Sequence, residues 1–239
     1  MDDSHWLSRT ELLLGNKNLQ KLQKAHILVA GLGGVGGYAA EAICRAGIGR
    51  MTIADNDHVS VSNRNRQLLA LSSAEGISKA KLMADRLLDI NPDLELKVFN
   101  HYIKDDKIPA ILDHDYHYVI DAIDTLSPKI FFIKYCLEKK IPLVSSMGAG
   151  GRFDPLQVKV ADIDKSYGCQ FAQAVRKRLH GHGINTGFKV VFSDEPVSKN
   201  TVIIMDNSPN KKSTVGTISY MPAIFGLVAA SVVIRELIK

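Results

Sequence analysis

The sequence predicts an α/β fold: a Rossmann-like, mostly parallel sheet with flanking helices and a C-terminal extension that faces the substrate. Three observations predict it. The apolar run Ile27-Leu28-Val29-Ala30 leads directly into Gly31-Leu32-Gly33-Gly34-Val35-Gly36. A buried strand, a glycine turn and a helix N-terminus let backbone N–H groups and the helix dipole approach a phosphate. Asp55 stands at the tip of the next apolar run, close to the offset of about 20 residues at which a carboxylate accepts from ribose hydroxyls. Finally, helical and extended apolar patterns alternate through Val144, as crossover helices between parallel strands require.

Taken in order, Ile27 to Ala30 is the first strand. Tyr38 to Ala46 is a helix with Ala39, Ala42, Ile43 and Ala46 on one face, ended by Gly47 and Gly49. Met51 to Ala54 is the second strand. Lys79 to Asp89 is a helix carrying Leu82, Met83 and Leu87; Pro92 closes it, and Leu94 to Phe99 is the third strand. Tyr118 to Ile123 is a further buried strand, so Asp121 and Asp124 lie in or just beyond its carboxyl end, where open α/β sheets bind ligands. Ser127-Pro128 supplies an N-cap and first-turn proline for a helix running to about Lys140, and Ile141 to Val144 is the next strand. Met147-Gly148-Ala149-Gly150-Gly151 then permits close backbone approach.

Past that point Val158 to Val160 and Phe188 to Phe192 read as strands of a substrate-facing region, with a basic helix, Phe171 to His180, between them. Ser193 to Lys212 reads as a long loop, a length usually tied to function or disorder. Met221 to Ile234 is apolar over about 14 residues, short of the roughly 18 of a membrane span, and reads as a buried helix.

Composition narrows the class. With 239 residues and 46% hydrophobic content, the chain can bury one large core. No charged start precedes an apolar stretch, so no export signal is read. Cys44, Cys136 and Cys169 are widely spaced, which points to a reducing compartment and to the cytoplasm. Three cysteines cannot supply a four-thiolate zinc site. Cys169 has no neighbouring base to lower its pKa and reads as an incidental thiol. Asp113-His114-Asp115-Tyr116-His117 reads as an exposed turn, because its spacing matches no helical or hairpin ligand pair. A net charge of +5 and a pI near 9.0 suit a polyanionic partner without specifying one.

The stretch after Asp55 decides the nucleotide chemistry. Asp55 and Asp57, then Asn63, Arg66 and Gln67, then Lys79, and later Asp124 in Asp121-Ala122-Ile123-Asp124 are not needed for hydride transfer. Their order resembles the adenylyltransferase superfamily of ubiquitin-activating enzymes and of the activators of ubiquitin-like sulfur carriers. Within it the chain most resembles the tRNA threonylcarbamoyladenosine dehydratases. That likeness is carried by the glycine turn, Asn65-Arg66-Gln67, Ile90-Asn91-Pro92, Tyr118 to Asp124, Ile141-Pro142-Leu143-Val144, Gly148-Ala149-Gly150-Gly151 with Asp154-Pro155, and Val175-Arg176-Lys177-Arg178-Leu179.

The resemblance implies ATP and Mg2+ as cofactors. It implies that Gly31, Gly33, Gly36, Asp55, Asp57, Asn63, Arg66, Gln67 and Lys79 bind ATP, with Asp55 on the ribose, and that Asp124 holds magnesium. The catalytic set it implies is Arg9, Arg66, Lys79 and Asp124, with Arg9 reaching the neighbouring site of a homodimer. Residues 1–164 are then an ATP-binding adenylating core with an N-terminal helical arm, and 165–239 a substrate-facing region of the same domain. A tRNA substrate is implied, with Arg176, Lys177 and Arg178 on its phosphates, as is a cysteine desulfurase or sulfur-acceptor system as partner; no membrane is involved. Two other readings compete. Activation of a carrier protein's C-terminal glycine is disfavoured by the missing zinc cysteines, and a nicotinamide oxidoreductase by Asn63, Arg66 and Lys79.

Overall fold

The computed structural model describes residues 5–103, 107–204 and 213–239. Helices α1 (Ser8–Leu14) and α2 (Asn16–Lys24) lead into β1 (His26–Ala30), α3 (Gly36–Arg45) and β2 (Arg50–Ala54). Next come α4 (Lys79–Ile90), β3 (Glu95–Phe99), α5 (Ile108–Ile111), β4 (Tyr118–Asp121), α6 (Leu126–Glu138) and β5 (Leu143–Ser146). The chain continues through β6 (Val158–Asp162), α7 (Gln170–His180), β7 (Lys189–Ser193), β8 (Val202–Ile204), β9 (Ser213–Val215) and α8 (Tyr220–Leu237).

Seven strands form one sheet in the order β3-β2-β1-β4-β5-β7-β6, and β8 pairs with β9 in a separate hairpin. All neighbours in the large sheet are parallel except β6, which runs antiparallel to β7. The chain builds outward from β1 to β3, then returns to the other side of β1 with β4. That reversal places a crevice between the carboxyl ends of β1 and β4.

Strand alternation divides the core between two faces. Ile27 and Val29 of β1 pack with Ile43, Met83, Phe225 and Val233 from α3, α4 and α8. Leu28 and Ala30 face the other way, toward Ile130, Phe132, Val175 and Leu179 from α6 and α7. The expectation of a mostly parallel sheet with flanking helices is thereby met.

Several local expectations are corrected. Helix α6 starts at Leu126 with Thr125 in the N-cap position and no side-chain cap bond, so Ser127 lies inside the first turn. Pro128 is tolerated there because first-turn N–H groups have no intrahelical acceptor. The helix stops at Glu138; Lys140 turns to φ 56, and β5 starts only at Leu143. The strands expected over Val158–Val160 and Phe188–Phe192 form as β6 and β7 and join the main sheet, with β7 between β5 and β6. Inside the expected 193–212 loop, β8 forms a ladder with β9; residues 205–212 lie outside the described residues. Helix α8 has 18 residues and a mean hydropathy of 1.5, sufficient in length and composition for a membrane span. Its Met221, Phe225, Ala229 and Val233 are buried in the core instead.

Candidate active site

Four segments meet at the carboxyl edge of the sheet. The first is the glycine turn between β1 and α3. Gly31 takes φ +89, and a Cβ there would lie 2.8 Å from the Ala122 carbonyl oxygen, so the turn rests directly on the backbone that follows β4. At Gly33 a Cβ would meet only Gln67 Nε2, at 3.8 Å. Helix α3 has no side-chain N-cap bond, and Gln67 Oε1 is buried without a hydrogen-bond partner among the described residues. An open glycine face beside uncapped N–H groups fits the phosphates of a nucleotide, while Gln67 Oε1 calls for a hydrogen-bond donor.

The second segment follows β2. Asp55 is 8% exposed; its Oδ2 accepts from the Leu32 N–H at 2.6 Å and its Oδ1 from the Asp57 N–H at 2.7 Å. Burial pushes this carboxyl above the usual carboxylate range, opposed by those two backbone donors and by Lys79. Asp55 therefore fastens the glycine turn to β2, and a ribose would use the lone pairs that remain. Asp57 receives Lys79 Nζ at 2.9 Å, and its carbonyl accepts the Lys79 N–H at 2.9 Å. Lys79 opens α4 and is 4% exposed, a buried cation aimed from the helix start.

A polar loop forms the third segment. Ser60 and Asn63 form a capping box, and the Asn63 carbonyl accepts from the N–H groups of Arg66 and Gln67. Asn63 thus shapes the turn that presents both. Arg66 NH1 donates to the Ser62 carbonyl and to Asn65 Oδ1, each at 2.8 Å. Asn65 Nδ2 donates to the Thr217 carbonyl at 2.9 Å, and a Cβ on Gly34 would lie 3.2 Å from the Arg66 carbonyl and 3.0 Å from Pro222 Cβ. The loop crosses the glycine turn and is wedged there by the start of α8.

The fourth segment is Asp121 to Asp124. Asp121 and Lys129 are both fully buried, with Lys129 Nζ 2.8 Å from Asp121 Oδ2. Ser145 Oγ donates to the same oxygen at 2.6 Å, the Ile123 N–H donates to Asp121 Oδ1 at 3.0 Å, and Lys129 Nζ donates to the Ile123 carbonyl at 2.9 Å. Burial pushes the Lys129 ammonium below the usual lysine range, against the attraction of Asp121 and Asp124. Asp124 is exposed at the mouth of the crevice. No group of three or more His, Cys, Asp or Glu among the described residues is placed to hold a metal. A divalent ion at Asp124 would complete its shell with phosphate oxygens and water, as magnesium does.

The glycines, Asp55, Asp57, Asn63, Arg66, Gln67, Lys79 and Asp124 are therefore gathered around one crevice. Arg9 is not. Leu7, two residues earlier, lies where a Cβ on Gly47 would meet it at 2.8 Å, and Gly47 precedes β2 at the opposite edge of the sheet. The basic helix divides. Arg176 NH1 donates inward to the Ser166 carbonyl at 2.6 Å and to the Ser166 hydroxyl, so of the three basic residues expected on tRNA phosphates Arg176 turns toward its own chain. Lys177 and Arg178 are exposed and, with Leu126, Ala174 and Gly181, line a cavity of about 390 Å³ that begins two residues beyond Asp124. Lys129 went unrecognised in the sequence. One signal was available: a lysine in the first turn of a helix opposes the dipole, so an apolar helix that begins with one asks for a carboxylate nearby.

Residues 7–239 match the model of the ThiF family. The chain belongs to the ThiF family. It is 38% identical over 242 residues to the tRNA threonylcarbamoyladenosine dehydratase of Bacillus subtilis, covering 98% of this chain and 95% of that one. It is 40% identical to the Escherichia coli protein of the same name, covering 95% of this chain and 91% of the other. The ThiF-family fold superposes on the crystal structure of E. coli tRNA N6-threonylcarbamoyladenosine dehydratase, TcdA, in complex with ATP. There the TM-score is 0.88 at 38% identity, covering 96% and 92% of the two chains. The crystal structure of E. coli MccB with AMPCPP and MccA, at 17% identity and TM-score 0.65, shares the fold alone.

Proposed function

We propose that this chain is an ATP-dependent tRNA threonylcarbamoyladenosine dehydratase, which closes a ring on the modified nucleoside through an acyl adenylate. The observation that carries the reading is the convergence of the glycine turn, Arg66, Gln67, Lys79 and Asp124 at the β1/β4 crevice. Near-full-length likeness to two dehydratases supports the substrate. The three cysteines are all free and buried, which supports a ThiF-family branch without structural zinc and without an enzyme thioester.

Adenylation requires the threonyl carboxylate to attack the α-phosphorus while pyrophosphate departs. The glycine turn and the start of α3 hold phosphate oxygens with N–H groups. Arg66 and Lys79 neutralise charge as it grows on the leaving group, and Asp124 is the residue that would hold magnesium. Magnesium supplies charge neutralisation and alignment of the phosphate oxygens. The nucleoside's own carbamoyl group then attacks the activated carbonyl and AMP leaves, so one water is lost overall. Tethering makes that step fast without a protein nucleophile, since intramolecular groups act at effective concentrations of about 10⁵ M or more.

Lys177 and Arg178, which line a cavity with Leu126 at the start of α6, are the proposed phosphate contacts for tRNA. The working form is a cytoplasmic homodimer, and a cysteine desulfurase or sulfur-acceptor system is the proposed partner. The deciding experiment is incubation with ATP, magnesium and tRNA from a host lacking this gene, followed by nucleoside mass spectrometry. Threonylcarbamoyladenosine lighter by one water is the expected product. Unchanged nucleoside, with pyrophosphate released only when a ubiquitin-like carrier is added, would move the chain to the carrier-activating branch.

A further inference from the structure

The Asp121–Lys129 pair lies at the carboxyl end of β4 and is fully buried, and the hydrogen bonds of its side chains go to Ile123 and Ser145. A buried ion pair is a poor way to hold a helix on a sheet, because apolar residues of equal volume commonly do so at least as well. What apolar residues cannot do is grip backbone. Here each charge holds one side of Ile123: Asp121 Oδ1 accepts its N–H, and Lys129 Nζ donates to its carbonyl, within the peptide group that continues into Asp124. Ser145 Oγ on β5 anchors the carboxylate from the neighbouring strand. The Phe171 ring of α7, its centroid 5.9 Å from Lys129 Nζ, covers the ammonium.

We propose that Lys129 is a positioning residue for adenylation, clamping with Asp121 the peptide that carries Asp124 so that the Asp124 carboxylate stands where the metal-bound triphosphate needs it. The inference rests on the reading of Asp124 given above. A ligating carboxylate on a loop needs an outer layer of fixed partners, and loss of such partners costs about 10- to 100-fold in metal affinity or activity. A displacement of about 1 Å at the reacting centre is enough to cost about 100-fold in rate.

The test uses the paired substitution Lys129→Met with Asp121→Asn, which removes both charges together and keeps side-chain shape, and separately Ser145→Ala, which removes one anchor and leaves the ion pair. ATP binding is measured by calorimetry with and without magnesium, and AMP release is measured with tRNA substrate. In the paired variant, metal-free ATP affinity should stay within about 3-fold of wild type, while the magnesium-linked gain falls by about 10-fold. The turnover number kcat should fall by about 100-fold with little change in KM for ATP. Ser145→Ala should shift the same two quantities in the same direction by about 3-fold or more, so the question stays answerable even if the paired variant does not fold. Wild-type kcat and wild-type magnesium linkage in whichever variant folds would overturn the positioning role. A wild-type protein that shows no magnesium-linked gain would instead overturn the reading of Asp124.

Discussion

At the scale of single residues, the site separates groups that meet the nucleotide from groups that hold those groups still. In the proposed mechanism Asp124 and Lys79 belong to the first kind. Asp124→Asn should abolish AMP formation while leaving the melting temperature within a few degrees, because the side chain is exposed and the exchange is isosteric; normal turnover would remove Asp124 from the mechanism. Lys79→Ala should lower kcat by about 100-fold, the scale of losing one preorganised charge where negative charge develops. His26 offers a pH prediction outside the site. Burial, then Arg50, lowers its pKa from 6.5 to about 4, so the native state resists its protonation. A depressed pKa contributes stability that is present above pH 6.5 and lost as pH falls through about 4. His26→Gln should therefore flatten the loss of stability across that interval in denaturant titrations; an unchanged acid slope would assign the loss to other groups.

Elements explain why some of this was legible in the sequence and some was not. The β1–α3 turn, the Lys79 helix and the strand ending at Asp121 were readable because each depends on local pattern: an apolar run, a glycine turn, a polar stretch with fixed spacing. Placement of β6 and β7 in the main sheet was not readable, because membership in a sheet is set by long-range pairing such as Val144 with Lys189, not by local pattern. The inward turn of Arg176 was hidden for a related reason, since Ser166 lies in the loop before α7 and helical periodicity reports only which side faces the core. That division makes α7 testable. Lys177→Ala with Arg178→Ala should weaken tRNA binding and lower the log-log salt slope by roughly 0.7 to 0.9 for each phosphate no longer neutralised. Arg176→Ala should reduce thermal stability and leave that slope unchanged. An equal slope change from Arg176→Ala would mean that the guanidinium leaves Ser166 when RNA binds.

At the scale of the whole molecule, Arg9 lies on α1 near the amino edge of the sheet, while the site lies at the carboxyl edge. Helix α1 buries none of its residues within the chain, and Leu12 and Leu13 beside Arg9 are 65% and 82% exposed. If Arg9 acts, it acts in a neighbouring copy. Arg9→Ala and Lys79→Ala proteins, each deficient, should then recover activity when mixed and allowed to exchange subunits, because one site per heterodimer regains both groups. Mixtures that stay inactive despite demonstrated exchange would remove Arg9 from the catalytic set.

The wedge formed by α8 has a consequence for biosynthesis. Pro222 packs against Gly34, Gly226 packs against the carbonyl of Val35, and Thr217 holds Asn65, so the phosphate turn at the beginning of the fold is braced by the segment translated after the entire sheet. While a nascent chain is still on the ribosome, its glycine turn and Lys79 have emerged, yet the brace that sets their spacing has not. Stabilisation by nucleotide, which scales with affinity for the finished state, is therefore available only once α8 has emerged and docked. Until then the partly made protein relies on its seven-stranded sheet and the helices that precede α8, and the apolar floor awaiting α8 is the surface a chaperone would recognise.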